Sequence, residues 1–257
     1  MFVFIGDETN VRQDDKAKFF IYGGLIINLT EAPDIHNKVY QIRTSKGYQR
    51  CDKLKFETHS RPQQVTIEDF SSCKDGVINI CSNCGVQFMA YAVHHDIAKK
   101  HRPETQLLWA LKTLLCGYDL FLQRENEYGI CLVDRFTNVF NVLRDIHQSG
   151  VDPQFYGGKL KHQLDHIICY GTISIDTTHL ASLVDIVLGA FRYCVNEITR
   201  DEISARLYKK VRPLMVCETG NPSIVEEWGL FLRPKTVKVA EYRTDYENLR
   251  KRLKSLE

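Results

Sequence analysis

Apolar positions along this chain fall first into short unbroken runs and later into stripes of helical period. Phe2 to Gly6 and Phe19 to Asn28 are apolar nearly throughout, which predicts two buried strands. The segment between them is rich in Asp, Asn and Lys and suits a hairpin loop. Pro33 opens a helix predicted through Arg43, because proline fits a first helical turn. Thr44 to Arg61 is basic, polar and without period. A helix is predicted over Thr66 to Cys84 and a strand over Val86 to His94.

Pro103 starts a long helix carrying Leu107, Leu108, Leu111, Leu114, Leu115, Leu120 and Leu122, which Gly117 is expected to bend or interrupt. Gly129 to Val133 reads as a strand ending at Asp134. A helix from about Asn138 to His147 follows, closed by Ser149-Gly150. Gly171 to Ile175 reads as a strand ending at Asp176, and helices are expected over Leu180 to Asn196 and Asp201 to Lys210. The tail, Glu241 to Leu256, is a charged helix with Tyr246, Leu249, Leu253 and Leu256 on one side. Strands first, then strands separated by helices, predict a mixed sheet flanked by helices in one α/β domain spanning residues 1–257.

Composition narrows the class. With 44% hydrophobic and 26% charged residues, the chain can bury a sizeable core, which argues against a disordered or fibrous protein. No apolar run approaches the roughly 20 residues of a membrane helix, so no membrane association is expected. Asp7 and Glu8 stand where a signal peptide would keep its apolar stretch, which points to a cytoplasmic protein. Lys+Arg 34 against Asp+Glu 32 is too even to announce a polyanion partner, so any nucleic-acid footprint must be local. Nine cysteines, an odd number without an export signal, read as reduced thiols. Cys81-Ser82-Asn83-Cys84 has a zinc-like spacing. No second pair is well placed, however, and the helical recurrence of Val77, Ile80, Cys81 and Cys84 favours core thiols.

The candidate chemistry is carboxylate chemistry. Asp7 and Glu8 follow the first strand, Asp134 ends another, and Asp185 sits inside an otherwise apolar helix. A charge in such a helix is expensive unless a basic side chain or a metal meets it. Ala181 and Ser182 one turn before it and Gly189 one turn after leave room for an ion with waters. Converging strand-end carboxylates make a hard oxygen site for Mg²⁺ or Mn²⁺, and two such ions about 4 Å apart drive attack of water on a phosphodiester. The alternative is ordinary: Asp7 and Asp134 as turn residues, with Asp185 paired to Arg192 on the same helical face.

These residues also resemble a known family. Phe4-Ile5-Gly6-Asp7-Glu8-Thr9-Asn10 is similar to the opening signature of the DUF3800 family of ribonuclease H-like proteins, aromatic, aliphatic, Asp-Glu-Ser-Gly. Phe20-Ile21-Tyr22-Gly23-Gly24-Leu25-Ile26-Ile27, then Cys131-Leu132-Val133-Asp134, then Leu180 to Arg192 around Asp185 resemble its later signatures in the right order. The family's Glu-x-Lys after the first helix is altered: Lys53-Leu54-Lys55-Phe56 keeps the Lys, puts Lys53 where the Glu belongs, and leaves Glu57 as the candidate fourth acid. The resemblance implies a ribonuclease H-like sheet and a nuclease using two Mg²⁺ or Mn²⁺ ions. It makes Asp7 the bridging ligand, Asp134 and Asp185 the flanking ones, Glu8 a ligand or orienter, and Lys55 the partner of the scissile phosphate.

Between Arg43 and Arg61 lie Arg43, Lys46, Arg50, Lys53, Lys55 and Arg61, with Tyr48 and Phe56 among them. Cations interleaved with aromatics suit a groove that follows a DNA or RNA backbone, here by Arg43, Lys46, Tyr48, Arg50 and Lys53; a solvated loop is the other reading. Lys159-Leu160-Lys161-His162 is a weaker phosphate candidate, and His94-His95-Asp96 is expected at the surface or an edge. Arg250, Lys251, Arg252 and Lys254 read as a solvated face, while the leucines of the last helix could cover the domain or a partner subunit, including a second copy. Two functions remain from this reading: a metal-dependent nuclease, or a catalytically weak relative that binds nucleic acid or a partner.

Overall fold

Strand β1 (Phe2–Thr9) pairs antiparallel with β2 (Phe19–Asn28), with Phe2 opposite Asn28 and Asp7 opposite Gly23. The structure is a computed structural model that describes residues 1–9, 17–152, 161–174 and 177–257. The expected hairpin loop, Lys159-Leu160 and Ile175-Asp176 lie outside the described residues. On the far side of β2, β3 (Gln87–His94) pairs antiparallel; on the far side of β1, β4 (Gly129–Asp134) pairs parallel, followed by β5 (Ile167–Ile173), also parallel. A short strand, β6 (Leu230–Arg233), adds parallel to β3, giving the order β5-β4-β1-β2-β3-β6. Three antiparallel strands continued by two parallel ones, with helices on both faces, form a ribonuclease H-like α/β fold.

Strand alternation sorts the helices into two layers. Val3 and Ile5 of β1 face a core built with α1 (Ala32–Ser45), α2 (Ile67–Asn83), α6 (His179–Asn196), α7 (Asp201–Val211) and α8 (Ala240–Ser255). Phe4 faces the other core, shared with α3 (His95–Ala98), α4 (Pro103–Glu125) and α5 (Val139–Ser149). Thr66 caps α2 by accepting the Asp69 N–H at 3.0 Å, so the helix starts where the sequence predicts it.

Several expectations change. α4 runs unbroken through Gly117, where an added Cβ would lie 2.7 Å from the Phe231 ring; the glycine admits β6 rather than bending the helix. β5 begins four residues before the predicted Gly171. His94 and His95 are buried, not at the surface: His94 donates its N–H to the Tyr246 hydroxyl, and its ring meets Asp245 at 3.1 Å. Tyr246, Leu249, Leu253 and Leu256 bury their faces in the α6-side core of this same chain, so that stripe covers the domain. Arg250 and Arg252 are not simply solvated: Arg250 holds Glu226, and Arg252 ties Asp201 and the carbonyls of Cys194 and Glu197. Cys81 is a core thiol as expected and Cys73 is another, and burial raises both above the usual thiol range; Cys84 is only half-buried, beside Lys38 and Asp34. Among the described residues, no helix is long and apolar enough to cross a membrane.

Candidate functional site

The parallel register of β1 and β4 sets Gly6 beside Val133, which brings the next residue on each strand, Asp7 and Asp134, to the same level at the strands' carboxyl ends. Ligands of open α/β sheets gather at such ends. Alternation turns Asp7 toward the α6 layer, with Val3 and Ile5, and sends Glu8 to the opposite side. Carboxylate oxygens of Asp7, Glu8 and Asp134 nevertheless lie within 4.8 Å of one another. Asp7 Oδ1 accepts the Glu8 backbone N–H at 2.8 Å.

This grouping is electrostatically costly. Burial pushes the Asp7 carboxyl up to about 8, with repulsion from Glu8, Asp134 and Asp185 adding to it. Burial and Asp134 raise Glu8 as well. Glu8 Oε2 is buried without a hydrogen-bond partner, and so is the hydroxyl of Tyr22, the residue across from Glu8 on β2. Burial first, then the neighbouring acids, raise the Tyr22 phenol strongly. Orphaned oxygens in an acidic group suit a cation, because an ion of opposite charge satisfies oxygen and repulsion together.

Asp185 reaches this place from α6. Its helix can lie close to the sheet because Gly23 has no side chain; a Cβ there would meet Leu188 at 2.6 Å. Asp185 Oδ2 accepts the Phe56 N–H at 2.6 Å, and burial raises its proton affinity while that N–H, Lys55 and Lys74 hold it down. Asp185 influences Asp7 but stands outside the tight three-acid group. The small residue at Gly189 makes room for Phe56, whose Cβ lies 2.4 Å from a Cβ built there, rather than for an ion with waters. Arg192 pairs with Glu57 instead of Asp185, so Glu57 is held by an arginine and does not join the group.

The basic segment divides. Lys55 stands beside Asp185. Arg43 is buried, bonded to His179 Nδ1 at 2.9 Å and to the Asp52 carbonyl, with its guanidinium over the Tyr48 ring. Tyr48 is buried too, and Lys46 pairs with Asp69 at 3.1 Å. Arg50 and Lys53 are exposed and line a cleft of about 800 Å³. A second hollow of about 790 Å³ borders Glu8, with Arg135, Phe136 and the exposed Phe140 in its wall.

Sequence reasoning missed Lys74, Tyr22 and Arg135. Lys74 donates to the Phe56 carbonyl at 3.1 Å and lies over the rings of Phe56 and Phe70. Its signal was available, since Phe70, Lys74 and Ile78 share one stripe of α2 and the stripe is otherwise apolar. Tyr22 looked like one more apolar position of β2, and Arg135 like a turn residue. No protein-family model and no curated protein matches this sequence.

Proposed function

We propose that this protein is a divalent-metal-dependent nuclease, as its resemblance to the DUF3800 family implies. The observation that carries the reading is the group Asp7, Glu8 and Asp134 at the ends of two adjacent parallel strands, with Glu8 Oε2 buried and unpartnered. These three side chains would hold Mg²⁺ or Mn²⁺, and Asp185 would join them for a second ion. Ions held there supply Lewis-acid charge and an activated water for phosphodiester hydrolysis. Lys55, beside Asp185, is placed to meet a phosphate and to stabilise charge that develops on it.

The test is a cleavage panel of single- and double-stranded DNA, RNA and hybrid, each with Mg²⁺ or Mn²⁺. The parent should cut at least one substrate, and Asp7→Asn and Asp134→Asn should lose that activity while staying folded by circular dichroism. If every variant cleaves like the parent, or nothing is cut under any condition, the nuclease reading fails. The pairing of Glu57 with Arg192 leaves the close group with three acids, which favours a catalytically weak binding module as the second reading.

A further inference from the structure

The cleft at Arg50 and Lys53 is built from three parts of the chain, and its lining has the composition of a nucleotide site. The rings of His36 and His179 lie 4.8 Å apart, and Tyr40, half exposed, is 6.0 Å from His179. Arg43 donates to His179 Nδ1, which fixes the ring, and burial together with Arg43 and His36 lowers that imidazole's affinity for a second proton. A ring fixed beside two others offers a face for a flat heterocycle. The cations Arg50 and Lys53 share the wall with Thr178, which caps α6 by accepting the Leu180 N–H at 3.2 Å, and with the start of that helix, whose dipole favours an anion. Asp52 also lines the cleft, but its Oδ2 is engaged by the Gln49 N–H and by Gln64, both at 2.6 Å. Tyr48 also borders the cleft, but it is only 6% exposed and its hydroxyl is buried, with the core thiol Cys73 among its neighbours.

We propose that this cleft binds one nucleotide unit of a single strand, with its base against His36, Tyr40 and His179 and its phosphate at Arg50, Lys53 and the start of α6. The assignment to a strand rests on the nuclease reading. Ser182 of the cleft precedes Asp185 by one helical turn, and Lys53 precedes Lys55 by two residues, so the cleft adjoins Asp185 and Lys55.

Binding measured in EDTA separates the two ideas, because no cleavage is needed. The folded protein is titrated with a nucleoside 5′-monophosphate, inorganic phosphate and a short labelled single-stranded oligonucleotide. The oligonucleotide should bind most tightly and inorganic phosphate least. Tyr40→Ala and Arg50→Ala, both at exposed positions, should each weaken the oligonucleotide by roughly tenfold or more. A mononucleotide that binds as tightly as the oligonucleotide would keep the cleft and make a free nucleotide its ligand. Inorganic phosphate binding as well as the mononucleotide, or variants binding like the parent, would overturn the proposal. Cleavage with unaffected variants sinks the cleft alone; cleft-dependent binding without cleavage in any metal sinks the nuclease alone.

Discussion

Several effects act on the one carboxyl of Asp7, and all but the Glu8 backbone N–H that it accepts favour its proton. Burial leads, followed by the charges of Glu8 and Asp134. The folded group titrates near 8 against an ordinary value of 3.8, so between those limits the folded chain holds a proton that the unfolded chain has released. The stabilisation this gives is complete below the ordinary value and is lost as pH rises through the folded one. Metal-free protein should therefore show a falling thermal midpoint from mildly acidic to mildly alkaline pH, and Asp7→Asn should flatten the fall. A parallel decline in parent and variant would remove the electrostatic coupling. On the proposed nuclease reading, Asp7→Asn should lose more than about 100-fold in activity, as loss of a metal ligand exceeds the loss of its supporting partners. Glu57→Gln should cost little: its ion pair with Arg192 is half exposed, and pairs of that kind contribute about 0–1 kcal/mol. Activity within a fewfold of the parent would exclude Glu57 as an essential ligand. Asp7, Glu8 and Asp134 were legible in the sequence because strand ends place them. The partner of Glu57 was not, because Arg192 arrives from a distant helix whose rotation no local pattern reports.

The element that adjusts the site is α6. Its apolar face was readable from Leu180 to Asn196, and the structure adds one residue at the start. Its depth was not readable, since it depends on Gly23 across the sheet and on Gly189 under Phe56. Gly189→Ala sets two effects against each other. Helix propensity favours alanine by up to about 1 kcal/mol. Overpacking against Phe56 costs about 1–3 kcal/mol, and the clash also loosens the Phe56 N–H that Asp185 accepts. The clash should win, giving a lower thermal midpoint and weaker activity together; a midpoint at or above the parent's would show that Phe56 yields easily. β6 escaped sequence reading for a different reason. Four residues between Gly229 and Pro234 carry no period, and only β3 beside them makes a strand of them. The burial of His94 and His95 likewise comes from neighbours, with Tyr246 and Asp245 of α8 enclosing His94.

Across the whole molecule, α8 seals the layer that contains α6. Leu253 is 5% exposed, and Leu253→Ala should cost about 2–5 kcal/mol by denaturant unfolding. Its apolar stripe is spent inside the chain, so the variant should sediment with the same mass as the parent at equal concentration. A change of mass would give that face a role between copies. The pairing of β1 with β4 carries a kinetic consequence. The chain between these strands carries β2, β3 and α4 among others, so their contact closes a very long loop, and such contacts form slowly. Until they meet, Asp7 and Glu8 are ordinary dissolved acids, far from Asp134. Refolding should therefore bring the acidic group together late, against a repulsion that grows with pH.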